Sequence, residues 1–247
     1  MSAATVQRVV LRHRVEAAGT ARSVARWLDH GDDPQLVAPS ASLRRVWSQV
    51  VELSVGPVHL LGADLGSPAD LPGDLPVDDL PDDEVPDDEV PLGFFDHLSA
   101  APPSPEPVRV QRCGVYAVVV ADARVLLTRL AGRGRWTLPG GGIEVGEHPR
   151  DALAREVDEE TGLHLLGADP VELRTSHWTG RAPNGRLEDF HAVRFLYRGR
   201  VSGGDPMVRE VGGTSDQAAW FAVADLVTLD LTPMVAALVT DWPDLRS

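Results

Sequence analysis

Between Val46 and Val108 the chain carries 14 acidic residues and no arginine. Proline recurs through the same stretch. Residues 65–91 read LGSPADLPGDLPVDDLPDDEVPDDEVP, with PDDEV twice in succession, and APPSPEP follows at 101–107. Proline lacks a backbone donor and fixes φ, so neither helix nor sheet propagates through such a run. The carboxylates repel one another and extend the chain. A chain of 247 residues interrupted in this way is expected to fold in pieces. The boundaries predicted here are 1–62 for an N-terminal extension, 63–107 for a disordered acidic linker and 108–247 for a larger domain. The linker reads as a solvated spacer, with GFFDHL at Gly93–Leu98 able to dock on a folded neighbour.

The same stretch accounts for the net charge of −14. Outside it, 23 acidic residues face 23 arginines, and the chain has no lysine. With no basic surplus, nucleic acid is not the expected partner. Apolar residues make up 43 % of the chain, enough for a core. The one cysteine, Cys113, excludes an internal disulfide framework and a Cys-based structural zinc site, and it fits a reducing compartment. No stretch reaches the ~18 apolar residues of a membrane helix. Arg8, Arg12, Arg14, Arg22 and Arg26 interrupt any secretory apolar region. These features predict a soluble cytoplasmic protein with no membrane partner.

In the first piece, Val6, Val10, Ala17, Ala21, Val24 and Leu28 recur at three-, four- and seven-residue spacings, which predicts one helix face. Gly31 and Pro34 would end that helix. Ser40 or Ser42 would cap a second helix bearing Leu43, Val46, Trp47, Val50 and Val51. Arg8, Arg12, Arg22 and Arg26 then lie on an outer, solvated side. So short a piece has a small core, and it is expected to pack on the rest of the chain or on a second copy, as in a homodimer.

From Val108 the pattern changes. VRVQRCGVYAVVVAD reads as a strand, Asp122-Ala123 as a turn and RVLLTRL as a second strand. A glycine-rich loop, GRGRWTLPGGGIEVGEHP, leads to a helix from Pro149 to Thr161, with Pro149 in its first turn and Gly162 just past its end. Two further strands are expected near Val171–Thr179 and Glu188–Arg200, and a last helix near Thr232–Thr240. The alternation of strands and helices predicts an α/β fold.

On the first of these helices Glu156, Glu159 and Glu160 lie within an arc of about 100°. Three adjacent carboxylates repel unless something neutralises them. A hard divalent cation, Mg²⁺ or Mn²⁺, suits oxygen ligands at such a spacing; a solvated acidic face is the alternative.

The stretch GGIEVGEHPRDALAREVDEETGL matches G-x5-E-x7-R-E-U-x-E-E-x-G-U through Gly141, Glu147, Arg155, Glu156, Val157, Glu159, Glu160, Gly162 and Leu163. It resembles the Nudix box of the Nudix hydrolases at every defined position. The resemblance covers 23 residues directly and extends over about 108–242. It implies an α/β/α sandwich with a mixed sheet, the box forming loop–helix–loop. It also implies metal-dependent hydrolysis of the pyrophosphate bond of a nucleoside diphosphate linked to another group. By that resemblance Glu156, Glu159 and Glu160 would be catalytic and hold the metal ions, with the Gly140 carbonyl completing the shell. Gly141, Glu147, Arg155 and Gly162 would be structural, Glu147 pairing with Arg155. Arg129 and Arg135, with Arg133 as a weaker candidate, would bind substrate phosphates. The general base is open, Glu188, Asp189 and Glu210 being candidates alongside His177 and His191. Trp136, Trp178, Phe190 and Tyr197 are core residues or base-stacking residues.

Markers of several Nudix subgroups are missing. Near His177-Trp178-Thr179 there is no proline of the ADP-ribose type, and Gly180 and Arg181 replace the tyrosine of the diadenosine-polyphosphate group. A nucleoside triphosphate or similar nucleotide is left as the expected substrate. Two other readings stand beside it: a non-catalytic Nudix nucleotide-sensing or protein-binding module, and an interaction adaptor working through the N-terminal segment and linker.

Overall fold

The computed structural model describes residues 6–17, 20–28, 42–53, 56–66, 107–181 and 186–241. The N-terminal segment is a β-sheet, not a pair of helices. Its strands are β1 (Val6–Ala17), β2 (Thr20–Trp27), β3 (Ser42–Leu53) and β4 (Gly56–Gly66), in the order β2-β1-β4-β3. β1 runs parallel to β4, and the outer pairs are antiparallel.

The reason lies in β1 and β4. Val9, Val10 and Leu11 are consecutive and fully buried, as are Leu60 and Leu61. Consecutive burial requires that both faces of a strand be covered, which erases the two-residue alternation of a half-exposed strand. Helix-like spacings are then coincidental. The β-branched valines favour the extended form. Arg8, placed by the helical reading on a solvated side, is 1 % exposed. Gly31, Pro34 and Ser40 lie outside the described residues, and Ser42 begins β3 rather than capping a helix. Residues 63–66, predicted to open the linker, complete β4, with Ala63 fully buried. Residues 67–106, which hold the rest of the linker and GFFDHL, lie outside the described residues.

The second sheet has seven strands. β5 (Val108–Ala121), β6 (Arg124–Leu130), β9 (Leu165–Arg181), β10 (Leu187–Val201) and β11 (Ser215–Ala222) take the order β11-β6-β5-β10-β9. Two short strands join it, β7 (Trp136–Thr137) on β6 and β8 (Gly140–Gly142) on β5. Asp122 and Ala123 both have positive φ, 50° and 54°, the geometry of a two-residue turn that matches strand twist. Helix α1 is Pro149–Thr161, as expected, and α2 is Pro233–Asp241. A 3₁₀ turn, Val223–Thr228, follows β11. Strands and helices together give the α/β class.

The chain forms two compact units. One takes in the N-terminal sheet, the start of β5, the loop 142–149 and residues 170–195. The other takes in 115–141, 150–169 and 196–241. Among the described residues no helix is long and apolar enough to cross a membrane.

Candidate active site

The three box glutamates all lie on α1, in the second unit. The helix starts at Pro149, whose missing N–H costs nothing in a first turn. It buries Ala152, Leu153 and Val157 on its apolar side. It ends where the Gly162 N–H reaches the Asp158 carbonyl at 2.8 Å, with Gly162 at φ +67°, a conformation suited to glycine.

Glu160 is 1 % exposed. Its Oε2 accepts hydrogen bonds from the Gly140 N–H at 2.9 Å and the Thr128 hydroxyl at 3.3 Å. Its Oε1 accepts from the Ser215 hydroxyl at 2.5 Å and the Thr214 hydroxyl at 3.3 Å. Burial raises its pKa, and these four donors act in the opposite direction. The donors come from β6, β8 and the start of β11, where a bulge between Ser215 and Gln217 interrupts the ladder to β6. Bulges commonly re-aim a side chain in this way.

Glu156 is also buried, and burial pushes its carboxyl up to about 7, against the pull of Arg155. Glu159 is more open. The Arg155 guanidinium joins the two, its Nη1 donating to Glu156 Oε1 at 2.8 Å and to Glu159 Oε2 at 3.2 Å. One cationic side chain thus serves two carboxylates. Among the described residues no three His, Cys, Asp or Glu side chains converge as a ready metal-ligand set.

Gly140, just before the box, and Gly141, its first residue, are needed for steric reasons. Gly140 has φ +145°, and a Cβ there would collide with the Val115 carbonyl and the Tyr116 backbone. A Cβ on Gly141 would stand 2.6 Å from the Glu156 carboxyl carbon. Glu147 lies in the other unit, where its Oε2 accepts the Glu144 N–H at 3.0 Å.

The other candidate residues are dispersed. Arg129 pairs with Asp216 at 2.8 Å and lies 5.9 Å from the Trp136 ring centre. Arg135 pairs with Asp230 at 3.4 Å, and Arg133 is exposed. Trp136 packs edge-on against Phe221, centroids 4.5 Å apart. Among the three carboxylates considered as base, Glu210 belongs to a segment that docks on the end of α1. There the N–H groups of Arg209 and Glu210 both reach the Glu159 carbonyl, at 2.8 and 3.1 Å, and Arg209 pairs with Asp158 at 2.7 Å. Glu188 and Asp189 belong to the other unit. Glu188 is buried between Arg186 (2.6 Å) and Arg112 (3.8 Å). Asp189 accepts from His177 at 2.6 Å, and buried His191 lies 3.0 Å from the Gln111 amide. Trp178 and Phe190 form a cross-strand ring pair with centroids 4.5 Å apart, and Tyr197 is buried. Thr128, Thr214 and Ser215 are site residues that sequence reasoning missed. Scattered hydroxyls carry no motif, and no local signal marks them.

The site is a helix with three glutamates on one face, preceded by a glycine loop in which Gly141 leaves room for the Glu156 carboxyl. The model of the NUDIX domain family matches residues 110–242, over half of the chain, and the chain belongs to that family. The human 8-oxo-dGDP phosphatase NUDT18 is 36% identical over 138 residues, covering 51% of this chain and 38% of its own length. The nucleoside triphosphatase NudI of Escherichia coli O81 (strain ED1a) is 30% identical over 128 residues, covering 49% of this chain and 89% of its own. The chain therefore spans well under half of the human relative and most of the bacterial one. In the crystal structure of the MutT NUDIX hydrolase from Burkholderia pseudomallei, the matched part has a TM-score of 0.41 and 29% sequence identity, covering 53% of this chain and 98% of that one.

Proposed function

We propose that the chain hydrolyses the pyrophosphate bond of a nucleoside triphosphate or a closely similar nucleotide, assisted by Mg²⁺ or Mn²⁺. The observation that carries this reading is the charge balance on α1. Glu156, Glu159 and Glu160 stand within one and a half turns, and one guanidinium, that of Arg155, meets two of them. Burial raises the Glu156 carboxyl to about 7 even against the pull of Arg155, so that one guanidinium compensates its ionised form only in part. A divalent cation supplies two positive charges, and hard carboxylate oxygens are the ligands Mg²⁺ takes. The donor chemistry therefore fits the metal. Glu156 and Glu159, with the Gly140 carbonyl and Glu160, would hold it. The oxygens of Glu160 already accept four hydrogen bonds, so Glu156 and Glu159 would carry the larger share. When bound, the metal would neutralise the pyrophosphate and lower the pKa of an attacking water.

The chain's own residues do the rest. Arg155 fixes the rotamers of Glu156 and Glu159. The cradle of Glu160 ties α1 to three strands, so the carboxylates are in place before substrate arrives. Arg129, at the end of β6, is a fork-shaped donor suited to a phosphate, for which Asp216 holds its place. The relatives acting on a nucleoside triphosphate and on 8-oxo-dGDP support a nucleotide substrate and keep an oxidised base open.

The test is release of phosphate and pyrophosphate from a panel, with and without Mg²⁺. The panel holds ordinary and oxidised triphosphates, 8-oxo-dGDP, ADP-ribose, NADH and diadenosine polyphosphates. Metal-dependent cleavage of a triphosphate above the others is expected. Glu159→Gln should lower kcat by about 10²–10³-fold, the range for one electrostatic group at a reacting centre. Unchanged turnover in that variant, or no cleavage of the panel by folded protein, would overturn the reading.

A further inference from the structure

The loop between β8 and α1 receives contacts from outside the matched family domain. Within the first unit, the His59 ring on β4 is fully buried, and its Nδ1 accepts the Gly146 N–H at 3.0 Å. The Gln7 side-chain amide on β1 donates to the Ile143 carbonyl at 3.0 Å and lies 3.3 Å from the same His59 nitrogen. The loop closes on itself as well: the Glu147 N–H reaches the Glu144 carbonyl at 3.0 Å, and Glu147 Oε2 accepts the Glu144 N–H. On its other flank the Ile143 N–H reaches the Cys113 carbonyl at 3.1 Å. Gly146 has φ +84°, so its N–H points where this turn sends it, not into a helix or a ladder.

We propose that His59 and Gln7 are positioning residues for the hydrolase: they clasp the backbone of the box loop at Gly146 and Ile143. The proposal rests on the function proposed above and deepens it. Residues 143–148 are the part of the box loop that carries Glu147, so a clasp on their backbone holds that stretch of the motif in one conformation. A donor and an acceptor aimed at two backbone groups three residues apart fix both the position and the twist of the turn. His59 can do this with its proton on Nε2, since Nδ1 must accept. The clasp comes from strands of the N-terminal sheet, which lies before residue 110, where the family match begins. This gives the first 66 residues a task in the reaction that the family motif does not specify.

The experiment uses the full chain and four variants: His59→Ala, His59→Asn, Gln7→Ala and Arg44→Ala. Arg44 donates to the Gly66 carbonyl within the same sheet and does not touch the loop. Two quantities are read, the hydrogen exchange of the Gly146 amide and the steady-state hydrolysis of dGTP with Mg²⁺. Exchange at Gly146 should quicken roughly fivefold to tenfold in His59→Ala, the size of one net hydrogen bond. kcat should fall by a similar factor with KM little changed. His59→Asn, which keeps an acceptor, should recover part of both, and Arg44→Ala should match the unmodified chain. Gln7→Ala, at a half-buried position, gives a milder form of the same effect and serves if His59→Ala does not fold. Unchanged Gly146 exchange in His59→Ala and Gln7→Ala would overturn the clasp. Quickened exchange with unchanged kcat would overturn its role in positioning. Absence of dGTP hydrolysis in the unmodified chain would count against the substrate reading while the exchange data still decide the clasp.

Discussion

Two regions of this molecule bury polar side chains and use them in opposite directions. Around α1 the neighbours converge on a motif residue: four donors from three strands surround Glu160. In the N-terminal sheet a residue outside the motif reaches toward the motif's backbone: His59 accepts from Gly146. The first arrangement fixes a charged group by saturating it. The second holds an exposed loop residue by one hydrogen bond from its N–H to a buried ring. A short motif can therefore be complete in sequence and still depend on partners far along the chain for its geometry.

The comparison breaks most severely if the N-terminal sheet is not the packed body described above. Leu11→Ala should cost about 2–5 kcal/mol in chemical denaturation, as for a fully buried leucine. Val9→Ala and Val10→Ala should each cost roughly 1.5–3 kcal/mol. A helix would place Val9 and Val10 about 100° apart, so tolerance at one of them would restore the helical reading.

The Glu160 cradle is sharpened by grading its donors. Ser215→Ala removes the shortest contact to a carboxylate and should cost about 1.5–3 kcal/mol, measured by urea unfolding. Thr128→Val removes a 3.3 Å contact and should cost roughly 0.5–1.5 kcal/mol. Equal effects would mean that the cradle does not discriminate among its donors.

The two buried glutamates also predict a pH effect of definite sign. Burial pushes the folded Glu156 carboxyl up to about 7, above its ordinary value of 4.5. The folded state thus favours its neutral form. The stability this group contributes is present below about 4.5 and lost as pH rises through 7. Metal binding requires the ionised form, so the rise in Tm on adding Mg²⁺ should be larger at pH 8 than at pH 6. Glu156→Gln should flatten that difference, and a larger gain at pH 6 would contradict it.

The smallest effect is a null one. Cys113 is buried, and burial pushes its thiol up to about 12. A thiol reagent should leave it unlabelled at pH 8 until denaturant is added.

Much of the second sheet and the box helix was legible in the sequence. The Pro149 start, the Gly162 end and the Asp122-Ala123 turn are local signals, acting over a few residues, and the structure places α1 over the predicted range. The N-terminal strands were not legible. Val9, Val10 and Leu11 are buried on successive positions, and periodicity carries no information when both strand faces are covered. Arg129 and Arg135 were legible as candidates, but their pairing with Asp216 and Asp230 was not.

By itself, then, the sequence determined the family, the glutamate-bearing helix and its ends, because each rests on residue spacings shorter than a few helical turns. Tertiary structure alone decided what holds those glutamates. The partners of Glu160 lie 20 to 55 residues away in the chain, and the His59–Gly146 contact spans 87. Hydrogen bonds of that sequence separation depend on how strands are ordered and where a ladder bulges, and no local pattern of residue types encodes either.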